Sequence, residues 1–199
     1  MRKIYIFLFI FLISSFNVYA KVGFGSEQEV LDALKKGGYV VFIRHAYAHR
    51  TNGLFEPEGF YKASLKKRDC SVQRDLDDRG LAQAKLIGEF FNKNNIPIDK
   101  VLTSIYCRCF KTAEPISKDY EVSNMLVSIG RDDVKKKEKQ LKQVKKYLEK
   151  WNSDKNLILV SHYNVINPLF EKDLLSISSG EIVVSDKELN IVANWKVPY

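Results

Sequence analysis

The strongest constraint in this 199-residue chain is a set of short apolar runs that lack any polar alternation. Tyr39 to Ile43 reads Tyr-Val-Val-Phe-Ile, and Leu157 to Ser161 reads Leu-Ile-Leu-Val-Ser. Continuous β-branched and apolar runs of that length are strands buried on both faces. Helical patterns lie between them. Ser26 and Glu29 have capping-box spacing ahead of Val30, Leu31 and Leu34, and Gly37-Gly38 ends that helix. Leu81, Ala84, Ile87, Phe90 and Phe91 set a helical period over 78–93. Val101 to Ser104 is a second short strand, and 106–117 a helix with Pro115 near its end. Val122 to Ile129 contains a third strand. A lysine-rich helix over 132–151 turns Val134, Leu141, Val144 and Leu148 inward. Glu181 to Val184 and Asn190 to Trp195 are two late strands. This alternation predicts one three-layer α/β/α sandwich with a mostly parallel central sheet. In such sheets ligands sit beyond the carboxyl ends of the strands.

Chemistry-bearing residues fall at that rim. Of the three histidines, His45 follows the first apolar strand with Arg44 between them, and His162 follows the 157–161 strand directly. Parallel, central strands would bring both imidazoles to one edge. An imidazole is a competent nucleophile near neutral pH. Phosphoryl transfer asks the protein mainly for positioning and positive charge, which a guanidinium supplies as a planar fork. A protonated second imidazole would add another donor. The set Arg44, His45 and His162 suits a phosphate better than a metal. His49 reads as a polar loop residue. Residues 47–75 show no sustained period, and so long a loop in a compact domain is the expected seat of substrate specificity.

The first twenty residues stand apart. Arg2 and Lys3 precede an apolar stretch from Ile4 to Ile13, and Val18-Tyr19-Ala20 offers a cleavage site. This is the layout of a secretory signal peptide over 1–20, leaving 21–199 as the mature domain in the periplasm or outside the cell. No stable membrane insertion is expected after cleavage. The formal charge of +8 would fall to +6 without Arg2 and Lys3. Much of the excess lies between Lys135 and Lys150, which reads first as a solvated helix face, with no nucleic-acid partner expected. Export would permit a disulfide among Cys70, Cys107 and Cys109. Cys107 and Cys109 point to opposite sides of a helix, so Cys70 would pair with one of them. No cysteine spacing reads as a zinc site.

Four segments, in order, carry a resemblance. They are Ile43-Arg44-His45-Ala46; Asp69 to Leu76 with Arg79-Gly80-Leu81-Ala82-Gln83-Ala84; Thr103 to Ala113 with Arg108 within it; and Val160-Ser161-His162-Tyr163-Asn164. Together they resemble the histidine phosphatase superfamily, whose fold is phosphoglycerate mutase-like. With its leader and Tyr106-Cys107-Arg108-Cys109, the chain looks closest to the exported bacterial branch that includes lipopolysaccharide core heptose phosphate phosphatases. The resemblance implies that His45 attacks phosphorus and becomes phosphohistidine. Arg44, Arg108 and His162 would bind the phosphoryl oxygens, with no metal or organic cofactor. The substrate would be a small phosphoester or a phosphorylated envelope sugar.

Two departures from the family matter. The mutase branch has an asparagine and a serine soon after its histidine, where this chain has Ala48 and Thr51. The acid phosphatase branch carries a carboxyl just after its second histidine, where this chain has Tyr163. Asp132 and Asp133 lie about where mutase-like members place a glutamate, and are the candidate proton donors. They equally suit the start of the lysine-rich helix, where acids are favoured. Gln73 and Arg74 could approach the site but stay outside the catalytic set. Three activities compete: a metal-independent phosphomonoesterase, a catalytically weak module that binds phosphorylated ligands, and a phosphomutase or phosphotransferase.

Overall fold

The structure is a computed structural model that describes residues 25–49, 69–129, 133–170, 174 and 176–198. The expected 1–20 leader, most of the expected 47–75 loop and Asp132 lie outside the described residues.

Six strands form one sheet in the order β3-β2-β4-β1-β5-β6. They are β1 (Val40–Arg44), β2 (Ile98–Thr103), β3 (Tyr120–Val122), β4 (Asn156–Ser161), β5 (Glu181–Ser185) and β6 (Ile191–Lys196). β1 to β4 run parallel, and the two late strands add an antiparallel edge, so the sheet is mixed. Helices α1 (Glu27–Lys36), α2 (Asp78–Lys93), α3 (Cys107–Ala113), α4 (Val134–Lys150) and α5 (Tyr163–Ile166) flank it.

The pleat sorts the core. Val41, Ile43, Ile158, Val160, Ile182 and Val184 face one way, toward Val30 and Leu34 of α1, Ile87 and Phe91 of α2, and Ala113 of α3. Their alternates Val40, Phe42, Leu157, Leu159 and Val183 face Val144 and Leu148 of α4 with Ile166 and Phe170. The apolar residues of β1 and β4 are therefore all spent on one of two cores, which is why these two strands show no polar alternation. Burying a side chain such as Phe42 contributes roughly 2–3 kcal/mol.

Local signals act as their chemistry requires. Ser26 and Glu29 complete the capping box of α1. Gly37 ends it with φ +73°, where a Cβ would sit 2.1 Å from the Asp154 carbonyl oxygen. The third strand differs from its expected place: it spans Tyr120–Val122, and residues 124–126 form a 3-10 turn. Met125 and Leu126 reach the core through that turn, and the Leu126 carbonyl accepts from Ser161 Oγ at 2.8 Å. Helix α3 stops at Ala113, short of the expected 117, and the Pro115 carbonyl packs against Gly88 of α2. Val134 opens α4 and is 59% exposed rather than inward, because the first turn lies beyond the sheet's core. Among the described residues no helix is long and apolar enough to cross a membrane.

Candidate active site

Strand pairing builds the site. Arg44 is opposite Ser161 in the parallel ladder, and the His45 amide continues it by donating to the Ser161 carbonyl at 2.9 Å. Ser104 extends β2 in the same way, donating to the Val160 carbonyl at 3.1 Å. His45 and His162 thus leave adjacent strands at one rim, both buried, with ring centroids 5.4 Å apart.

Their partners fix their tautomers. His45 Nδ1 lies 2.7 Å from the Ala46 carbonyl oxygen. A carbonyl only accepts, so Nδ1 carries the hydrogen and Nε2 keeps a lone pair. Arg108 Nη2 lies 3.4 Å from His162 Nδ1, and a guanidinium only donates. His162 therefore carries its hydrogen on Nε2, which meets Ser104 Oγ at 2.9 Å. Burial first, and the Arg108 guanidinium next, push both imidazoles well below the ordinary histidine range. Sequence reading invokes a protonated His162; desolvation beside the three arginines works against that form and toward a neutral N–H donor.

Positive charge surrounds the pair. Arg44 Nη1 donates to the Ile177 carbonyl at 2.7 Å, and its guanidinium lies 5.5 Å from the Tyr163 ring centre. Arg108 lies over the Tyr106 ring at 4.4 Å and is 5% exposed. Its buried Nε has no hydrogen-bond partner among the described residues. Buried polar groups are normally paired, so a guanidinium N–H left over at this rim is suited to an anionic acceptor. Arg74, outside the catalytic set expected from sequence, also acts on both imidazoles electrostatically and depresses them further. The one sequence signal for it is its place between Gln73 and the start of α2.

Further residues support this arrangement; Thr112 and Gln83 lie within the segments that carry the resemblance, Glu181 outside them. Thr112 Oγ1 accepts from the Ala46 amide at 2.9 Å and donates to the Arg108 carbonyl at 2.7 Å, linking the loop after His45 to α3. Gln83 is fully buried; its Oε1 accepts from the Tyr47 amide, and its Nε2 donates to the Ser179 and Val197 carbonyls. Glu181 is buried near Arg44, its carboxyl pushed upward by desolvation and held by the Ser178 amide and Asn194.

The remaining candidates separate. His49 is exposed on the loop. Asp133 caps α4, accepting from the Lys136 amide at 3.1 Å and pairing with the Lys136 ammonium. That hydrogen bonding holds its carboxyl below the usual range, so it stands as a carboxylate engaged in the cap. Cys70 is bonded to Cys107, while Cys109 stays a free thiol buried against His162, its Sγ 3.4 Å from Nε2. Among the described residues no group of three or more His, Cys, Asp or Glu side chains is placed to hold a metal ion.

Comparison with known proteins returns one family. The family model for the histidine phosphatase superfamily (branch 1) matches residues 40–156, more than half of the chain. Solved structures align over most of both chains. The TTHB049 protein of Thermus thermophilus is 15% identical, with TM-score 0.54 over 79% of this chain and 98% of that one. The SixA protein of Agrobacterium tumefaciens is 17% identical, with TM-score 0.53 over 79% and 97%. A protein histidine phosphatase SixA complexed with tungstate is 14% identical, with TM-score 0.50 over 80% and 96%. At these identities the likeness concerns the fold. No curated protein matches the sequence.

Proposed function

The chain belongs to the histidine phosphatase superfamily, and from that premise we propose that it hydrolyses phosphomonoesters through a phosphohistidine on His45. The observation that carries this is the fixed His45 tautomer. Nδ1–H is committed to the Ala46 carbonyl, which leaves the Nε2 lone pair at a rim shared by Arg44, Arg108 and His162. His45 Nε2 attacks phosphorus as the ester P–O bond breaks. The arginines hold the equatorial oxygens, and His162 donates to one of them by exchanging its Nε2–H bond to Ser104 Oγ for a phosphoryl oxygen. Water then breaks the P–N bond, releasing inorganic phosphate and restoring His45. The leaving alkoxide needs a proton unless its own pKa is low, and that proton is worth roughly 10²–10⁴ in rate. Asp132 remains the candidate donor, because Asp133 is occupied by the α4 cap.

The substrate in this proposal is a small phosphoester or an envelope-sugar phosphate. Its support is the leader-like first twenty residues, the Tyr-Cys-Arg-Cys stretch and the excess of basic residues. The same leader supports residues 21–199 acting in the periplasm or outside the cell. A second reading, a phosphate-ligand binding module with slow turnover, is favoured by the commitment of Asp133 to helix capping.

The purified protein should hydrolyse p-nitrophenyl phosphate in EDTA, and His45→Ala should abolish turnover. Acid quenching should trap a phosphoprotein in wild type and none in His45→Ala. No turnover on that ester or on a panel of sugar phosphates would leave the binding module as the function.

A further inference from the structure

Residues 70–75 run beside α3 and are tied to it at four points. Cys70 is bonded to Cys107 by a disulfide that closes 37 positions of chain. Gln73 Oε1 accepts the Cys107 backbone N–H at 3.1 Å. The Arg74 carbonyl accepts from Arg108 Nη1 at 3.3 Å. Asp75 pairs with Lys111. On its other side, Arg74 donates Nε and Nη2 to the Ala48 carbonyl at 3.2 and 2.7 Å, three residues past His45. Residues 70–75 are thus a strap between the nucleophile's loop and the helix that presents Arg108.

Helix α3 depends on such ties. It has seven residues, and its N-cap, Tyr106, makes no side-chain cap bond. So short a helix has little stability of its own. Its first amide is capped from outside by Gln73, and the cysteine carrying that amide is the one bonded to Cys70. Arg108 is the next residue. A shift of the helix start moves the guanidinium, and small misplacements of a binding group are costly.

We propose that the Cys70–Cys107 disulfide, acting with Gln73, is a redox-dependent positioning device that sets how tightly Arg108 holds a phosphoryl group. This rests on the reading of Arg108 as a phosphate ligand. Cys70 is partly exposed and Cys107 buried, so Cys70 is the sulfur within reach of a small thiol. A dithiol reductant supplies two electrons and two protons. The S–S bond breaks, both cysteines become thiols, and the reductant closes into its own cyclic disulfide. The oxidised protein holds Arg108 in place; the reduced one leaves it to hydrogen bonds and one ion pair.

The test measures turnover of p-nitrophenyl phosphate and binding of tungstate, before and after dithiothreitol, with free thiols counted by mass spectrometry. Reduction should raise KM and the tungstate Kd about tenfold, the loss of roughly one charge-assisted hydrogen bond, with kcat changing less. Re-oxidation should restore both. A Cys70→Ser/Cys107→Ser variant should start at the weak values and ignore the reductant, which separates the bridge from Cys109. Constant KM and Kd with three free thiols would overturn the proposal. If reduction unfolds the protein, Gln73→Leu with the disulfide intact takes its place: weaker tungstate binding and a higher KM are expected, and unchanged values overturn it. If wild type lacks turnover but binds tungstate, the phosphatase reading fails and the tungstate Kd alone decides this inference. If the oxidised protein does not bind tungstate, the phosphate pocket and this inference both fall.

Discussion

Two buried, neutral histidines make the stability of this protein depend on pH in a definite direction. Both imidazoles are held well below their ordinary range by burial and by Arg108. In the unfolded chain each returns to about 6.5. Below that pH the unfolded state binds two protons that the folded state refuses, so stability is present above about pH 6.5 and falls as pH drops toward the folded values. With both folded rings still neutral at pH 5.5, one pH unit below the unfolded value, the cost is about 1.4 kcal/mol per histidine, or roughly 3 kcal/mol for the pair. That is a large share of the roughly 5–15 kcal/mol typical of a domain. Urea unfolding between pH 8 and pH 5.5, in buffers free of phosphate, measures it directly. His45→Asn and His162→Asn should each remove about half of the slope, and the double variant nearly all of it. Wild type and double variant losing stability in parallel would refute the claim that burial keeps these rings neutral. Tungstate in saturating amount should flatten the wild-type slope, because an anion among the arginines favours imidazolium.

Other outcomes follow from single contacts. Gln83→Leu leaves the Tyr47 amide and the Ser179 and Val197 carbonyls without their partner and should cost about 3 kcal/mol in urea unfolding, with loss of turnover. Arg44→Ala and Arg108→Ala should each lower kcat/KM about 10- to 100-fold, the worth of a hydrogen bond to a charged group. The Cys109 thiol, pushed up to about 12 by burial, should resist iodoacetamide in the native protein and react only on unfolding, as read by peptide mass. Asp133→Asn should leave both stability and the pH–rate profile as in wild type, since asparagine caps equally well; a lost alkaline limb would reinstate Asp133 as the acid.

The rim is legible in the sequence because strand pattern and residue order are local information. Tyr39 to Ile43 and Leu157 to Ser161 announce doubly buried strands, and the residues that follow them must reach the same edge once those strands pair. Which cysteine meets Cys70 is not legible. It depends on how α3 is rotated, with Cys107 turned to the strap and Cys109 to His162. Arg74 and Gln73 escape for a related reason. Their roles come from contacts with Ala48 and Cys107, 26 and 34 positions away, which no periodicity encodes. Met125 and Leu126 look like strand because apolar residues near a strand share one composition whether they continue it or turn inward. The desolvation of His162 is not legible either, because counting nearby donors says nothing about burial.

Strand β1 lies between β4 and β5, and Gln83 is bonded to the Val197 carbonyl near the chain's end. His45 is therefore made early and enclosed late. While the chain is being synthesised, His45 is already present, but its neighbours in the sheet are still more than a hundred residues behind. Competence waits for β4: a nascent or truncated protein ending before it lacks His162 and the ladder that holds His45. Pairings across such distances also slow folding, because the chain closes long loops before it gains the contacts that compensate. The site stays incomplete until its last strands have docked.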